Sequence, residues 1–378
     1  MISKLPNVPT SIFTIMSKMA ADHGAINLSQ GYPNFDSDPV LIEAVHRAMV
    51  DGHNQYAPMG GDPGLRQQIA SKVAMLYGRQ YNPNSEVTIT AGATQAIFTA
   101  ISALVHAGDE VVIFTPAYDC YEPAIRLMGA KAVPVQLKAP FYAPDWEEVR
   151  SQIGERTRMI IVNSPHNPSG MVFSEEDMRQ LQDIAEQHDL WVISDEVYEH
   201  IIFDGIAHQS AARFEQLSHR TVITASFGKT FHNTGWKVGY CLAPEPLMNE
   251  FRKVHQYNVF SVHHPVQKAL AGYLGNQENY LKLPGFYQEK RDFFNALLRK
   301  SRFKIKPSQG TYFQLLDFSE ITKEGDIAFA ERLTKEKGIA TIPTSVFNNN
   351  GEDFKQIRVC FAKKNETLEA AAQILCDL

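Results

Sequence analysis

Arg158-Met159-Ile160-Ile161-Val162-Asn163 and Leu190-Trp191-Val192-Ile193-Ser194 decide the fold. Both are apolar at nearly every interior position rather than at every second one. A strand buried on one face alternates. A strand apolar throughout is covered on both faces, as in a parallel sheet between helices. Five more β-rich runs lie between Glu86 and Pro244: Val87–Thr90, Glu110–Phe114, Ala132–Leu137, Thr221–Ala225 and Val238–Leu242. Amphipathic stretches separate them. Ser174-Glu175-Glu176-Asp177 opens one with capping-box spacing. Met178, Leu181 and Ile184 then recur every three residues. Strands alternating with helices imply an α/β domain around a seven-stranded, mostly parallel sheet.

From about Tyr280 the pattern changes. A charged helix (Gln288–Lys300) precedes scattered strands at Lys304–Lys306, Thr311–Leu316, Ile339–Pro343 and Lys355–Phe361, and a last helix runs from Glu366 to Cys376. This reads as a smaller α+β domain. At ~150 residues per domain, 378 residues suit two to three domains. The expected division is 45–280 for the large domain, with 1–44 and 281–378 forming the small domain and N-terminal arm.

Composition narrows the function. A hydrophobic share of 44% excludes disorder as the main state. Asp plus Glu (42) outnumber Lys plus Arg (36), giving a net charge of −6 and no footprint for nucleic acid. The cysteines Cys120, Cys241, Cys360 and Cys376 are scattered without a CxxC pair, so neither a zinc ribbon nor a disulfide framework is indicated. No apolar h-region opens the chain and no apolar run approaches ~18 residues. A cytoplasmic protein with no membrane or nucleic-acid partner is expected. His263-His264 lacks a third ligand at usable spacing, so no metal is expected.

Four motifs sit where strands end. Ser226-Phe227-Gly228-Lys229-Thr230 follows Thr221–Ala225. A P-loop needs a glycine where Ile223 stands, so the nucleotide reading fails on spacing. What remains is a lysine at a strand end, either solvated or a buried amine with nucleophilic character. Asp195 closes an apolar strand, where an unpaired carboxylate is costly. A pyridinium N–H is one suitable partner; an ordinary helix cap is another reading. Asn163-Ser164-Pro165-His166-Asn167-Pro168-Ser169-Gly170 is a turn in which a cis peptide could aim Asn167. Thr90-Ala91-Gly92-Ala93-Thr94-Gln95-Ala96 is a tight strand-to-helix turn whose small residues let backbone N–H groups approach an anion.

Taken in order, Gly92-Ala93-Thr94-Gln95-Ala96, Ala117-Tyr118-Asp119-Cys120-Tyr121, Asn167-Pro168, Asp195-Glu196-Val197-Tyr198 and Ser226-Phe227-Gly228-Lys229 resemble the class I, fold type I aminotransferases that use pyridoxal 5'-phosphate (PLP). The resemblance spans nearly the whole chain and implies an aspartate-aminotransferase-like fold. Gln30-Gly31-Tyr32-Pro33, His255-Gln256-Tyr257 and Arg358-Val359-Cys360-Phe361 resemble the branch of methionine aminotransferases and kynurenine (glutamine K) aminotransferases.

The resemblance implies roles. Lys229 carries the cofactor covalently and then moves the Cα proton. Asp195 keeps the pyridine nitrogen protonated. Asn167 and Tyr198 hydrogen-bond the ring's phenolic oxygen, and Tyr118 stacks on the ring. Ala93, Thr94 and Gln95 form the phosphate turn, with the first two giving backbone N–H groups, and Ser226 and Lys237 complete it. Many relatives have arginine at Lys237; lysine offers a point charge rather than a fork. Tyr56 reaches the other subunit's phosphate in a homodimer with shared sites. Arg358 clamps the substrate carboxylate, with Gly31 and Asn167 beside it. Phe13 and Phe260 wall the side-chain pocket.

The implied activity is ping-pong transamination between an apolar or aromatic amino acid, methionine favoured, and a 2-oxo acid. Kynurenine or glutamine transamination and carbon–sulfur β-lysis are the alternatives. A PLP-fold regulator fused to a DNA-binding module is disfavoured, because only Met1 to about Asn27 precedes the family core.

Overall fold

The computed structural model describes residues 2–6 and 8–378. Its twelve strands are β1 (Ile26–Asn27), β2 (Val87–Thr90), β3 (Glu110–Thr115), β4 (Lys131–Gln136), β5 (Thr157–Asn163), β6 (Trp191–Asp195), β7 (Thr221–Ser226), β8 (Gly239–Leu242), β9 (Phe313–Asp317), β10 (Ile339–Ala340), β11 (Ile342–Pro343) and β12 (Gln356–Cys360). All seven strands expected between Glu86 and Pro244 are present. They form one sheet in the order β2-β8-β7-β6-β5-β3-β4. Only β8 runs against the others. The apolar runs are buried on both faces. Val111, Ile113, Met159, Ile161 and Ile193 face one core, which includes the helices Ala93–Leu104 and Glu245–Asn258. Val112, Phe114, Ile160, Val162 and Val192 face the other, which includes Glu175–Gln187. That helix begins with the expected capping box, Ser174 and Asp177 bonding reciprocally, and buries Met178, Leu181 and Ile184.

The C-terminal part holds a three-stranded antiparallel sheet, β11-β12-β9, and the parallel pair β1-β10. Its details depart from the sequence reading. The charged helix starts at Leu283, because Pro284 suits a first turn. Lys304–Lys306 is not a strand: only Lys304 bridges Asp317, and Gln314 Nε2 donates to the Lys306 carbonyl. Ile339–Pro343 splits at Thr341, its first half pairing with β1 and its second with β12. The helix Pro39–Val50 runs unbroken across the expected boundary at 44/45 and packs on His264–Leu274. No helix among the described residues is long and apolar enough to cross a membrane.

Candidate active site

The carboxyl ends of β2, β5, β6 and β7 meet the small-domain strands β9 and β12 around a cavity of about 320 Å³. Twelve of the fifteen predicted site residues line it: Phe13, Gly31, Ala93, Thr94, Tyr118, Asn167, Asp195, Tyr198, Ser226, Lys229, Lys237 and Arg358. This is where a mostly parallel sheet gathers ligand-binding groups.

At one end the helix Ala93–Leu104 presents its N-terminus with no side-chain cap. Gly92 precedes it at φ 77°, and a Cβ there would come within 3.3 Å of Lys237 Nζ. Glycine thus serves both the left-handed turn and the close approach of the lysine. Lys237 itself sits in the left-handed region at φ 53°. Uncapped N–H groups, the Ser226 hydroxyl and a nearby ammonium make a seat for a phosphate.

Asp195 lies at the middle, at the end of β6 and 4% exposed. Burial raises its carboxyl to about 6, against a hydrogen bond from Tyr121 that lowers it. Tyr121 donates to Oδ2 at 2.6 Å. Oδ1 has only a long contact, 3.4 Å, from the Val197 N–H. A buried carboxylate so lightly satisfied fits a cationic N–H partner.

Lys229 follows β7, and burial lowers its amine to about 8. Its Nζ donates to the Gly31 carbonyl at 3.1 Å and lies 5.8 Å from the Tyr198 ring centroid. The solvated-lysine reading of this position is thereby set aside.

Arg358, on β12, is 1% exposed. Nη1 donates to Asn167 Oδ1 at 2.8 Å and Nη2 to the Ser29 carbonyl at 3.0 Å, while Nε has no partner. The guanidinium carbon lies 3.9 Å from the Phe313 ring centroid and 5.1 Å from that of Phe13. Among the described residues no carboxylate pairs with it. A buried cation held only by neutral oxygens and aromatic faces fits an incoming carboxylate. The peptide bond before Pro168 is cis.

Three predicted residues stand elsewhere. The Gln95 side chain turns from the cavity: Oε1 accepts from the Ala91 N–H and Nε2 donates to Thr99 Oγ1, so it braces the turn. Its side chain does not line the cavity. Tyr56 and Phe260 pack edge to face at 5.4 Å and are exposed, outside the cavity of their own chain. Conversely, Tyr121, Asn163, Gln30 and Phe313 belong to the site without having been singled out for it. Tyr121 stands in a quoted motif, yet nothing local joins it to Asp195, 74 positions later. Asn163 gives Nδ2 to the Asp195 carbonyl and takes the Asn167 N–H on Oδ1. Gln30 Nε2 donates to the Phe13 carbonyl at 3.1 Å.

Residues 23–375 match the family described as aminotransferase class I and II. The chain belongs to that family. Aminotransferases of this class use PLP, and so does this one. The methionine aminotransferase of Escherichia coli is 50% identical over 377 residues, covering 100% of this chain and 98% of its own. A solved Escherichia coli structure described as having a methionine aminotransferase function superposes with a TM-score of 0.98 at 49% identity, covering 100% and 99%. Human kynurenine–oxoglutarate transaminase 3 is 33% identical, covering 98% of this chain and 89% of its own. The aminotransferase cavity fits its cofactor: an uncapped helix N-terminus, a buried carboxylate and a buried amine answer a phosphate, a protonated ring nitrogen and an aldehyde.

Proposed function

We propose that this aminotransferase takes the amino group from a monocarboxylic apolar amino acid, methionine first, and passes it to a 2-oxo acid in two half-reactions. One observation carries the substrate class. Among the described residues, the basic side chains lining the cavity are Lys229, Lys237 and Arg358. The cofactor aldehyde, its phosphate and the substrate α-carboxylate engage all three. Among the described residues no further cation lines the cavity to meet a side-chain carboxylate, and Phe13 and Phe313 offer apolar surface. The relatives named above support methionine, with kynurenine as the second reading.

When bound, PLP supplies an aldehyde for the amine and a ring that delocalises the electron pair left at Cα. The residues do the rest. Arg358 binds the α-carboxylate through its fork, beside Asn167 and Gly31, and orients the Cα–H. Lys229, with its amine lowered to about 8, would move the Cα proton as the general base. Asp195 would hold the proton on the ring nitrogen. Asn167 and Tyr198 would hydrogen-bond the phenolic oxygen, and Tyr118 would pack against the ring. Ala93, Thr94, Ser226 and Lys237 would hold the phosphate.

We further propose a cytoplasmic homodimer, with Tyr56 and Phe260 completing the partner's site. Exposed Tyr56, Tyr257 and Phe260 support a protein contact there.

An absorbance scan with methionine and no 2-oxo acid tests the substrate. Loss of the visible cofactor band, with a near-ultraviolet band replacing it, is expected. A band that persists with methionine but is lost with kynurenine moves the assignment to the second reading.

A further inference from the structure

The segment that delivers Asp195 and Tyr198 to the cavity carries a second pair of acids, each directly after one of them. Glu196 and Glu199 are both buried, and neither lines the cavity. Glu196 Oε1 accepts from Ser194 Oγ at 2.8 Å and the Ala211 N–H at 2.9 Å, and Oε2 lies 2.8 Å from His208 Nε2. Glu199 has the richer set. Oε1 pairs with the Lys72 ammonium and accepts from the Tyr240 hydroxyl at 2.8 Å. Oε2 accepts from the Tyr77 hydroxyl at 2.7 Å. Lys72 Nζ also donates to Tyr240 Oη at 2.7 Å and lies 3.2 Å from His200 Nε2.

The pair is sealed: the Lys72 and Glu199 side chains are 3% and 5% exposed. A buried ion pair adds little net stability, because desolvation offsets the attraction. Its distinguishing property is direction. Both carboxylate oxygens of Glu199 are fixed, by the helix Pro63–Tyr77 and by β8, and the adjoining backbone turn is closed by Glu199 N–H to Glu196 O and Ile201 N–H to Tyr198 O. The backbone at Tyr198 therefore cannot shift on this turn without breaking several buried bonds.

We propose that Lys72 and Glu199, with Tyr77 and Tyr240, form a positioning network that holds the Tyr198 hydroxyl against the cofactor's phenolic oxygen. This rests on the role given to Tyr198 above. The Lys72→Met/Glu199→Gln double variant removes both charges and leaves no unpaired ion. It is compared, as PLP-loaded enzyme, with Tyr198→Phe and with the triple variant, reading kcat and the pH midpoint of the visible cofactor band. The expected result is a midpoint displaced in the same direction as in Tyr198→Phe, and kcat lower by about tenfold to a hundredfold. In the Tyr198→Phe background the same pair should then cost less than about twofold. A double variant with the parent's midpoint and kcat, or one whose loss multiplies fully with Tyr198→Phe, overturns the network alone. A silent Tyr198→Phe overturns the network and the Tyr198 assignment together. Should the double variant not fold, Tyr77→Phe removes one hydroxyl from Glu199, and a parent-like midpoint and kcat there overturn the proposal.

Discussion

The Arg358 guanidinium donates to Asn167 Oδ1 at 2.8 Å, tying strand β12 of the small domain to the loop after β5 of the large sheet. The arginine is thus held in register with the cofactor site while its Nε stays unpaired. Arg358→Lys keeps the charge and loses the fork. The KM for the amino acid should rise, and kcat/KM should fall by about 2–4 kcal/mol, roughly thirtyfold to a thousandfold. Steady-state kinetics with methionine check it; an unchanged KM removes the carboxylate role.

Gly31 leaves room for that arginine's aromatic support. A Cβ at Gly31 would stand 2.7 Å from Phe313 Cζ, and Phe313 stacks under the guanidinium. Gly31→Ala must displace the ring, at about 1–3 kcal/mol. The expected outcome is a raised KM, recovered in part by Gly31→Ala/Phe313→Leu. If the second substitution deepens the defect instead, the steric account is wrong.

Tyr121 lowers the Asp195 carboxyl against the burial that raises it to about 6. Tyr121→Phe takes that hydrogen bond away, so in the cofactor-free protein Asp195 should titrate higher. PLP should also bind more weakly, by about tenfold for a charge-assisted bond. Fluorescence titration with PLP measures the second effect, and an unchanged Kd would exclude Tyr121 from the cofactor's support.

Lys229 sits with its amine lowered to about 8, chiefly by burial. Lowering a lysine favours the neutral amine. At pH 8 about half of Lys229 is unprotonated, against roughly 0.3% for an ordinary lysine. In the cofactor-free protein, acetylation of Lys229 should therefore rise with pH to a plateau past a midpoint near 8. Peptide mass spectrometry after timed labelling reads it. A rate still climbing through pH 10 would mean an ordinary lysine.

Tyr56 and Lys229 test the shared site. Neither Lys229→Ala nor Tyr56→Ala homodimers have an intact site if Tyr56 reaches across. A mixed dimer has one. Co-refolding equal amounts should restore about a quarter of the parental sites under random pairing. No recovery in verified mixed dimers would place Tyr56 outside the partner's site.

The sequence by itself determined the large sheet, because strands buried on both faces must be apolar at consecutive positions. Met159–Val162 and Trp191–Ile193 say so without reference to any other part of the chain. It also marked Lys229, Asp195 and Asn167, since each stands just past such a strand, where the sheet opens to a ligand. The small domain was less legible. Its strands are two to five residues long, and partner choice, not pattern, decides them, so Ile339–Pro343 divides between two sheets. Only the tertiary structure brought Tyr121 onto Asp195, Phe313 under Arg358, and Lys72 onto Glu199, 127 positions away. It alone turned Gln95 inward as a brace. Local pattern reports which face of an element is buried. Which buried groups then meet depends on how the elements pack, and in this chain that packing sets the support of the site.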